Sequence, residues 1–415
     1  MAGPAATKNP FKHLRASDLR ALSQLATQGT LGVTRLVEEV HQSVWRTLGA
    51  PGGQNSRQAR GLTGLIYRSI NGVTQGVGSR IGSALTRLEP LFQRNEGPRE
   101  ESPQRAAVLA ALNGVLGDRL QASANPLATP MTLRMAGKVV GGSALPEASR
   151  VSGKVLLVIH GLCMNEQQWT SQLAGEAFNH AELLAAELGY TPVYLRYNSG
   201  LHVSENGHTL ARQLEDLVQL WPRPVSELSV LAHSMGGLVI RSAVFSAKQQ
   251  TMRWPSLLKN IVFLGVPHHG SPLERAGNWV DIVLGSTPYS RPFARLGQLR
   301  SAGITDLRHG FALDADWQGH DRFRRQADRR IHLSLPEGVA CFAVAATTAA
   351  KGSPVAVRLL GDGLVPLRSA LGQHVDPARC LDFAPDHQTV AYRTSHLGLL
   401  SSPGVAQQVV SWFKS

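Results

Sequence analysis

The most restrictive feature of the chain is the run Leu228-Ser229-Val230-Leu231-Ala232-His233-Ser234-Met235-Gly236-Gly237, which continues as Leu238-Val239-Ile240-Arg241-Ser242-Ala243. The branched aliphatics of its first part read as a buried strand, and the residues after the glycine pair resume at helical spacing. Ser234 is thereby placed on a sharp turn between strand and helix. A side chain in such a turn needs small neighbours two residues to either side, here Ala232 and Gly236, so that its hydroxyl can stand out at the end of the sheet. This is the pattern of a nucleophile elbow. The order of strand, serine, glycine and helix carries the signal, because a bare five-residue match is common by chance. The plainer alternative is a serine that caps an ordinary helix.

The surrounding sequence supports a sheet covered on both faces. Lys154-Val155-Leu156-Leu157-Val158-Ile159 is nearly continuously aliphatic, as a strand buried on both sides must be. Helical and strand patterns then alternate: Ala181 to Leu188, Thr191 to Arg196, Gly207 to Trp221, Leu228 to Ala232, Leu238 to Ala247 and Ile261 to Val266. This rhythm predicts an α/β fold with a doubly wound, mostly parallel sheet. Residues 131–134 and 138–140 predict a hairpin preceding that sheet, and Val339 to Val344 a late strand. A last strand is expected near Cys380 to Phe383, and a short helix from Gly404 to Phe413 closes the chain.

Two segments fall outside the pattern. Residues 1–100 predict a helical N-terminal extension, including a stripe from Leu62 to Leu88 interrupted by Gly64, Gly72, Gly76, Gly78 and Gly82. Residues 101–415 form the expected catalytic domain. Within it, the proline- and arginine-rich stretch of about 271–336 breaks the alternation where a cap would enter.

A serine hydroxyl is a weak nucleophile at neutral pH, so it needs a base within hydrogen-bond reach and a third group to orient that base. Asp362, between Gly361 and Gly363, follows a late strand and is the candidate acid. His396, in Thr394-Ser395-His396-Leu397-Gly398, follows the last strand and is the candidate base. Asp362 could also be a plain turn residue, and Asp306, Asp314, Asp316 and Asp386 are the competing acids. Two N–H donors for a tetrahedral oxyanion are expected from the backbone of Met235 and of Leu162, the latter in the loop Ile159-His160-Gly161-Leu162-Cys163. His160 reads as a structural histidine of that loop.

His160-Gly161-Leu162, Ala232-His233-Ser234-Met235-Gly236-Gly237, Gly265-Val266-Pro267-His268-His269-Gly270-Ser271 and Gly361-Asp362-Gly363-Leu364-Val365-Pro366 together resemble the lipase-type α/β-hydrolases, and within them the GPI inositol-deacylase-like and bacterial esterase-lipase proteins. The resemblance covers residues 130–415. It implies carboxylic-ester hydrolysis through an acyl-serine, on an ester or lipid substrate, with no metal or organic cofactor, and a structural role for His268 and His269. An acyltransferase or thioesterase on the same three residues, and a binding protein on a hydrolase scaffold, are the alternatives.

Composition narrows the setting. Among the 415 residues, 43% are hydrophobic and 17% charged, a globular balance, and the formal net charge is +13. That charge favours peripheral contact with an anionic membrane surface; nucleic acid is not expected as a partner, and the oligomeric state is open. Three cysteines, Cys163, Cys341 and Cys380, lack metal-ligand spacing or a disulfide framework, which predicts a reducing, cytoplasmic setting. No window approaches the roughly 20 apolar residues of a membrane span.

Overall fold

The computed structural model describes residues 103–141, 145–173, 175–271, 301–319, 330–352 and 361–415. The predicted N-terminal extension, with its glycine-interrupted stripe, and most arginines of the expected cap lie outside them. Residues 103–129 fall in one compact unit and the remaining described residues in another. In the first, helix α1 (Pro103–Ala122) is bracketed by Asn113, whose side chain donates to the carbonyl of Leu127 and accepts the N–H of Thr129.

Among the described residues the second unit has ten strands, β1 (Thr132–Met135), β2 (Lys138–Val140), β3 (Lys154–Ile159), β4 (Ser171–Leu173), β5 (Glu176–Phe178), β6 (Thr191–Arg196), β7 (Glu227–His233), β8 (Leu258–Leu264), β9 (Ala340–Thr347) and β10 (Gln388–Tyr392). Eight of them form one sheet in the order β10-β9-β8-β7-β3-β6-β1-β2, and β4 and β5 pair as a small hairpin. All contacts from β10 through β6 are parallel, while β1 runs antiparallel to both β6 and β2. The hairpin expected to precede the sheet is therefore its edge. The last strand lies at Gln388–Tyr392, not near Cys380 to Phe383, so Asp386 precedes it in a tight turn.

Alternation along the strands assigns a helical layer to each face. Leu156, Val158, Leu231, Val262, Leu264, Phe342 and Val344 share one cluster with Ala181 and Leu184 of α2 (His180–Leu188) and with Val405, Val409 and Trp412 of the C-terminal helix Pro403–Lys414. On the other side, α3 (Val203–Leu220) and α4 (Met235–Gln249) pack on each other, and Gly237 of α4 lies against Phe263 and Val266. Both faces are covered, and the free ends of β3, β7, β8 and β9 all point to one edge. This is the α/β-hydrolase architecture.

From the expected cap, helix α5 (Ala302–His309) docks on α3 and on the turn before it. Asp306, fully buried, accepts the N–H of Val203 at 2.7 Å and meets Nδ1 of His202 at 3.0 Å, while Trp317 stacks on that imidazole at 3.7 Å. An aspartate in the first turn's N–H field stabilises a helix start electrostatically as well as by hydrogen bonding.

Candidate active site

Ser234 takes φ 54° and ψ −124° between β7 and α4, and its N–H donates to the carbonyl of Leu264 at 2.9 Å. A left-handed φ is costly for a residue with a Cβ and persists only where its surroundings enforce it. Here they do: β7 feeds straight into α4 with no loop, and Gly236 passes so close to β3 that a methyl on it would lie 2.8 Å from the carbonyl oxygens of both Ile159 and His160.

The loop after β3 runs beside this turn. A methyl on Gly161 would sit 3.0 Å from Cβ of Ser234 and 3.2 Å from Nδ1 of His233. Cys163 holds φ 60°, and its N–H is taken by Oγ of Ser199 at 3.0 Å. Leu162 and Met235, by contrast, have no acceptor for their N–H groups among the described residues. Met235, directly after Ser234, opens a helix whose dipole favours negative charge there.

His160 is held in its loop through one ring nitrogen and by stacking. Its Nδ1 lies 2.8 Å from the carbonyl of Gly161, its ring stacks on Tyr197 at 4.4 Å, and burial pushes its pKa down to about 4.

Asp362 and His396, 34 residues apart, meet with Oδ2 and Nδ1 at 2.7 Å, and the N–H of His396 donates to the carbonyl of Asp362 at 3.0 Å. Both side chains are buried. Oδ1 of Asp362 accepts from Leu364 and Val365, so the residue is a turn former and a histidine partner at once. Gly265, at φ +58° after β8, leaves room for the pair: a Cβ there would lie 3.2 Å from both Oδ2 of Asp362 and Nδ1 of His396. His233 ties the pair to the serine turn, its Nε2 standing 3.1 Å from the carbonyl of His396.

The competing acids are engaged elsewhere. Asp306 meets His202, Asp314 meets Nε2 of His208 at 2.9 Å, and Asp316 accepts the N–H groups of Ala312, Leu313 and Ile331. Asp386 lies on the turn before β10. His268 sits between Phe263 and Phe383 beside Arg241, and His269 Nε2 is 3.0 Å from the carbonyl of Gly372. Sequence reasoning gave no role to Ser199 or His233. Ser199 acts on a loop 36 residues away and left no local signal; His233 stood inside the motif and could have been found there. Among the described residues no group of three or more His, Cys, Asp or Glu could hold a metal ion, and no helix is long and apolar enough to cross a membrane.

Residues 150–335 match the family model described as the PGAP1-like alpha/beta domain. Similar solved structures include the mature lipase BlEst2 of Bacillus licheniformis, at 17% identity over 69% of this chain and 98% of that one with a TM-score of 0.41. Lipase B of Aspergillus fumigatus is 11% identical over 96% and 85%, with a TM-score of 0.39. The Pyrococcus furiosus esterase Pf2001 is 14% identical over 64% and 82%, with a TM-score of 0.36. No curated protein matches the sequence.

Proposed function

We propose that this lipase-type α/β-hydrolase cleaves carboxylic esters through an acyl-serine, with Ser234 as nucleophile, His396 as base and then acid, and Asp362 as the residue that orients His396. The observation that carries the reading is the 2.7 Å contact between Asp362 and His396, tethered through His233 to the strained turn that bears Ser234.

The chemistry follows from the hydrogen bonds. Because a carboxylate only accepts, the hydrogen of a neutral His396 sits on Nδ1, which leaves Nε2 bare to take the serine proton. Oγ of Ser234 then adds to the ester carbonyl carbon, and the developing oxyanion is met by the N–H groups of Leu162 and Met235. Collapse breaks the bond to the alcohol, which leaves with the proton from Nε2. Water repeats the sequence on the acyl-serine, releasing the acid and restoring the hydroxyl.

A fluorophosphonate probe tests the nucleophile and a series of p-nitrophenyl esters tests the reaction. Stoichiometric labelling of the parent, absent in Ser234→Ala, is expected. Ester hydrolysis by Ser234→Ala at the parental rate would end the assignment.

A further inference from the structure

The proposed reaction leaves His233 unused, although it directly precedes Ser234 and lies against His396. It ends β7 directly before Ser234 and is fully buried. Its ring lies 4.6 Å from that of His396 between centroids, tilted by 45°, and its Nε2 is 3.1 Å from the His396 carbonyl oxygen. A carbonyl only accepts, so Nε2 carries the hydrogen and Nδ1 is bare. Burial, reinforced by the neighbouring His396, His160 and His180, keeps the ring neutral. Nδ1 has no hydrogen-bond partner among the described residues. A phenylalanine or leucine would fill this space without an orphaned nitrogen, so packing alone does not account for a histidine here. What the imidazole adds is the single N–H aimed at His396.

That hydrogen bond completes a three-point hold. The His396 N–H goes to the carbonyl of Asp362, its Nδ1 to the carboxylate of Asp362, and its carbonyl to His233. The first two fix His396 to the acid loop; the third is the one that fixes it to the serine turn.

We propose that His233 is a positioning residue: its Nε2–H pins the His396 backbone to the nucleophile turn and so sets the placement of the His396 ring against Ser234. The inference rests on the Ser234, His396 and Asp362 reading above. A misplacement of about 1 Å at a reacting group costs on the order of 10²-fold in rate. With no exposed surface, His233 meets no substrate, so the effect belongs in kcat and not in KM.

Three variants separate positioning from packing. His233→Phe keeps a ring and removes the N–H; His233→Gln returns an amide N–H near the reach of Nε2; His233→Asn returns one only at the reach of Nδ1. With p-nitrophenyl butyrate, the Phe and Asn variants are expected to lose on the order of 10²-fold in kcat at unchanged KM, and Gln to recover most of it, while fluorophosphonate labelling of Ser234 still runs to completion in all three, only more slowly. Equal losses in Phe, Gln and Asn that follow their melting temperatures would make His233 a packing residue and overturn the inference, as would parental kcat in all three. If the Phe variant does not fold, the comparison of Gln with Asn decides, with melting temperatures showing how much of their difference comes from the missing methylene: a kcat gap that follows the melting temperatures overturns the inference, and one that exceeds them supports it. Failure of the underlying reading shows separately, as ester hydrolysis that survives Ser234→Ala.

Discussion

The carboxylate of Asp362 faces the imidazole of His396 at 2.7 Å with one oxygen only, because the other already accepts the N–H groups of Leu364 at 2.9 Å and Val365 at 2.7 Å. An amide in its place cannot serve both sides. In Asp362→Asn the single oxygen stays with the two N–H groups, which turns the NH₂ toward Nδ1 of His396 and stabilises the tautomer whose hydrogen is on Nε2, where the base must be bare. The expected loss in kcat reaches about 10⁴, with the fold retained because the turn keeps its acceptor. Steady-state kinetics beside a thermal melt check this; a loss below tenfold would mean that another group orients the histidine.

The backbone at Ser234 makes a second prediction. Ser234→Ala and Ser234→Gly both remove the hydroxyl and are expected to lose about 10³ to 10⁶ in kcat. They differ in stability. Alanine keeps a Cβ at φ 54°, a conformation costing on the order of 1–3 kcal/mol, whereas glycine adopts it freely and gives back about 0.5–1 kcal/mol through its more disordered unfolded chain. The glycine variant should therefore melt above the alanine variant. The reverse order in calorimetry would show that the turn stores no strain.

How far the sequence revealed this site depended on whether the signal was local. The strands Lys154–Ile159 and Thr191–Arg196 were readable to the residue, because strands near the middle of a covered sheet are aliphatic or alternate cleanly and are bounded by polar turns. The last strand was misplaced for the converse reason. Leu381 and Phe383 are buried and spaced like a strand, yet they pack in a loop, Phe383 against Phe263 and His268. Gln388–Tyr392 is an edge strand with no fully buried residue, so it lacks the aliphatic signature altogether. The contacts of His396 with Asp362 and His233 join positions 34 and 163 residues apart. Only the chain order of serine, acid and histidine hinted at the first, and the second left no signal beyond the presence of a histidine inside the serine motif.

Gly236→Ala is expected to reverse the usual effect of that substitution. In a helix interior alanine is favoured over glycine by about 1 kcal/mol. At Gly236 the added methyl would stand 2.8 Å from the carbonyl oxygens of Ile159 and His160 and from Cγ2 of Ile159. Two of those atoms are backbone carbonyl oxygens, one at the end of β3 and one on the first residue of the loop after it, and cannot swing aside as a side chain can, so overpacking of about 1–3 kcal/mol or more outweighs the helical gain. Lower denaturant midpoint and reduced kcat are both expected, since relief comes by moving the Ser234 turn away from the loop after β3. A variant as stable and active as the parent would contradict the close approach.

Acid should destabilise the protein through its buried histidines, at pH values where ordinary exposed carboxylates are still ionised. His160, His180, His233 and His268 are each at most 2% exposed, and burial pushes His160 and His180 down to about 4 and the other two well below the ordinary imidazole value of 6.5. The unfolded chain therefore binds these protons first, so the stability they contribute is full above about pH 6.5 and is lost as pH falls toward the folded-state values. Each group costs on the order of 1.4 kcal/mol per pH unit once its unfolded form is protonated. Four together reach on the order of 5 kcal/mol per unit, against a total stability of about 5–15 kcal/mol. Asp306 works in the opposite direction: burial raises it to about 6, so its contribution is present below its ordinary carboxylate value and lost as pH rises through about 6. One such group cannot offset four. Denaturant midpoints are expected to fall steeply from pH 6.5 to 4.5, and His180→Asn, which deletes one titrating ring from the start of α2, to flatten that slope by about one proton's share. Stability that stays level across this interval would mean that the four rings take up protons inside the fold.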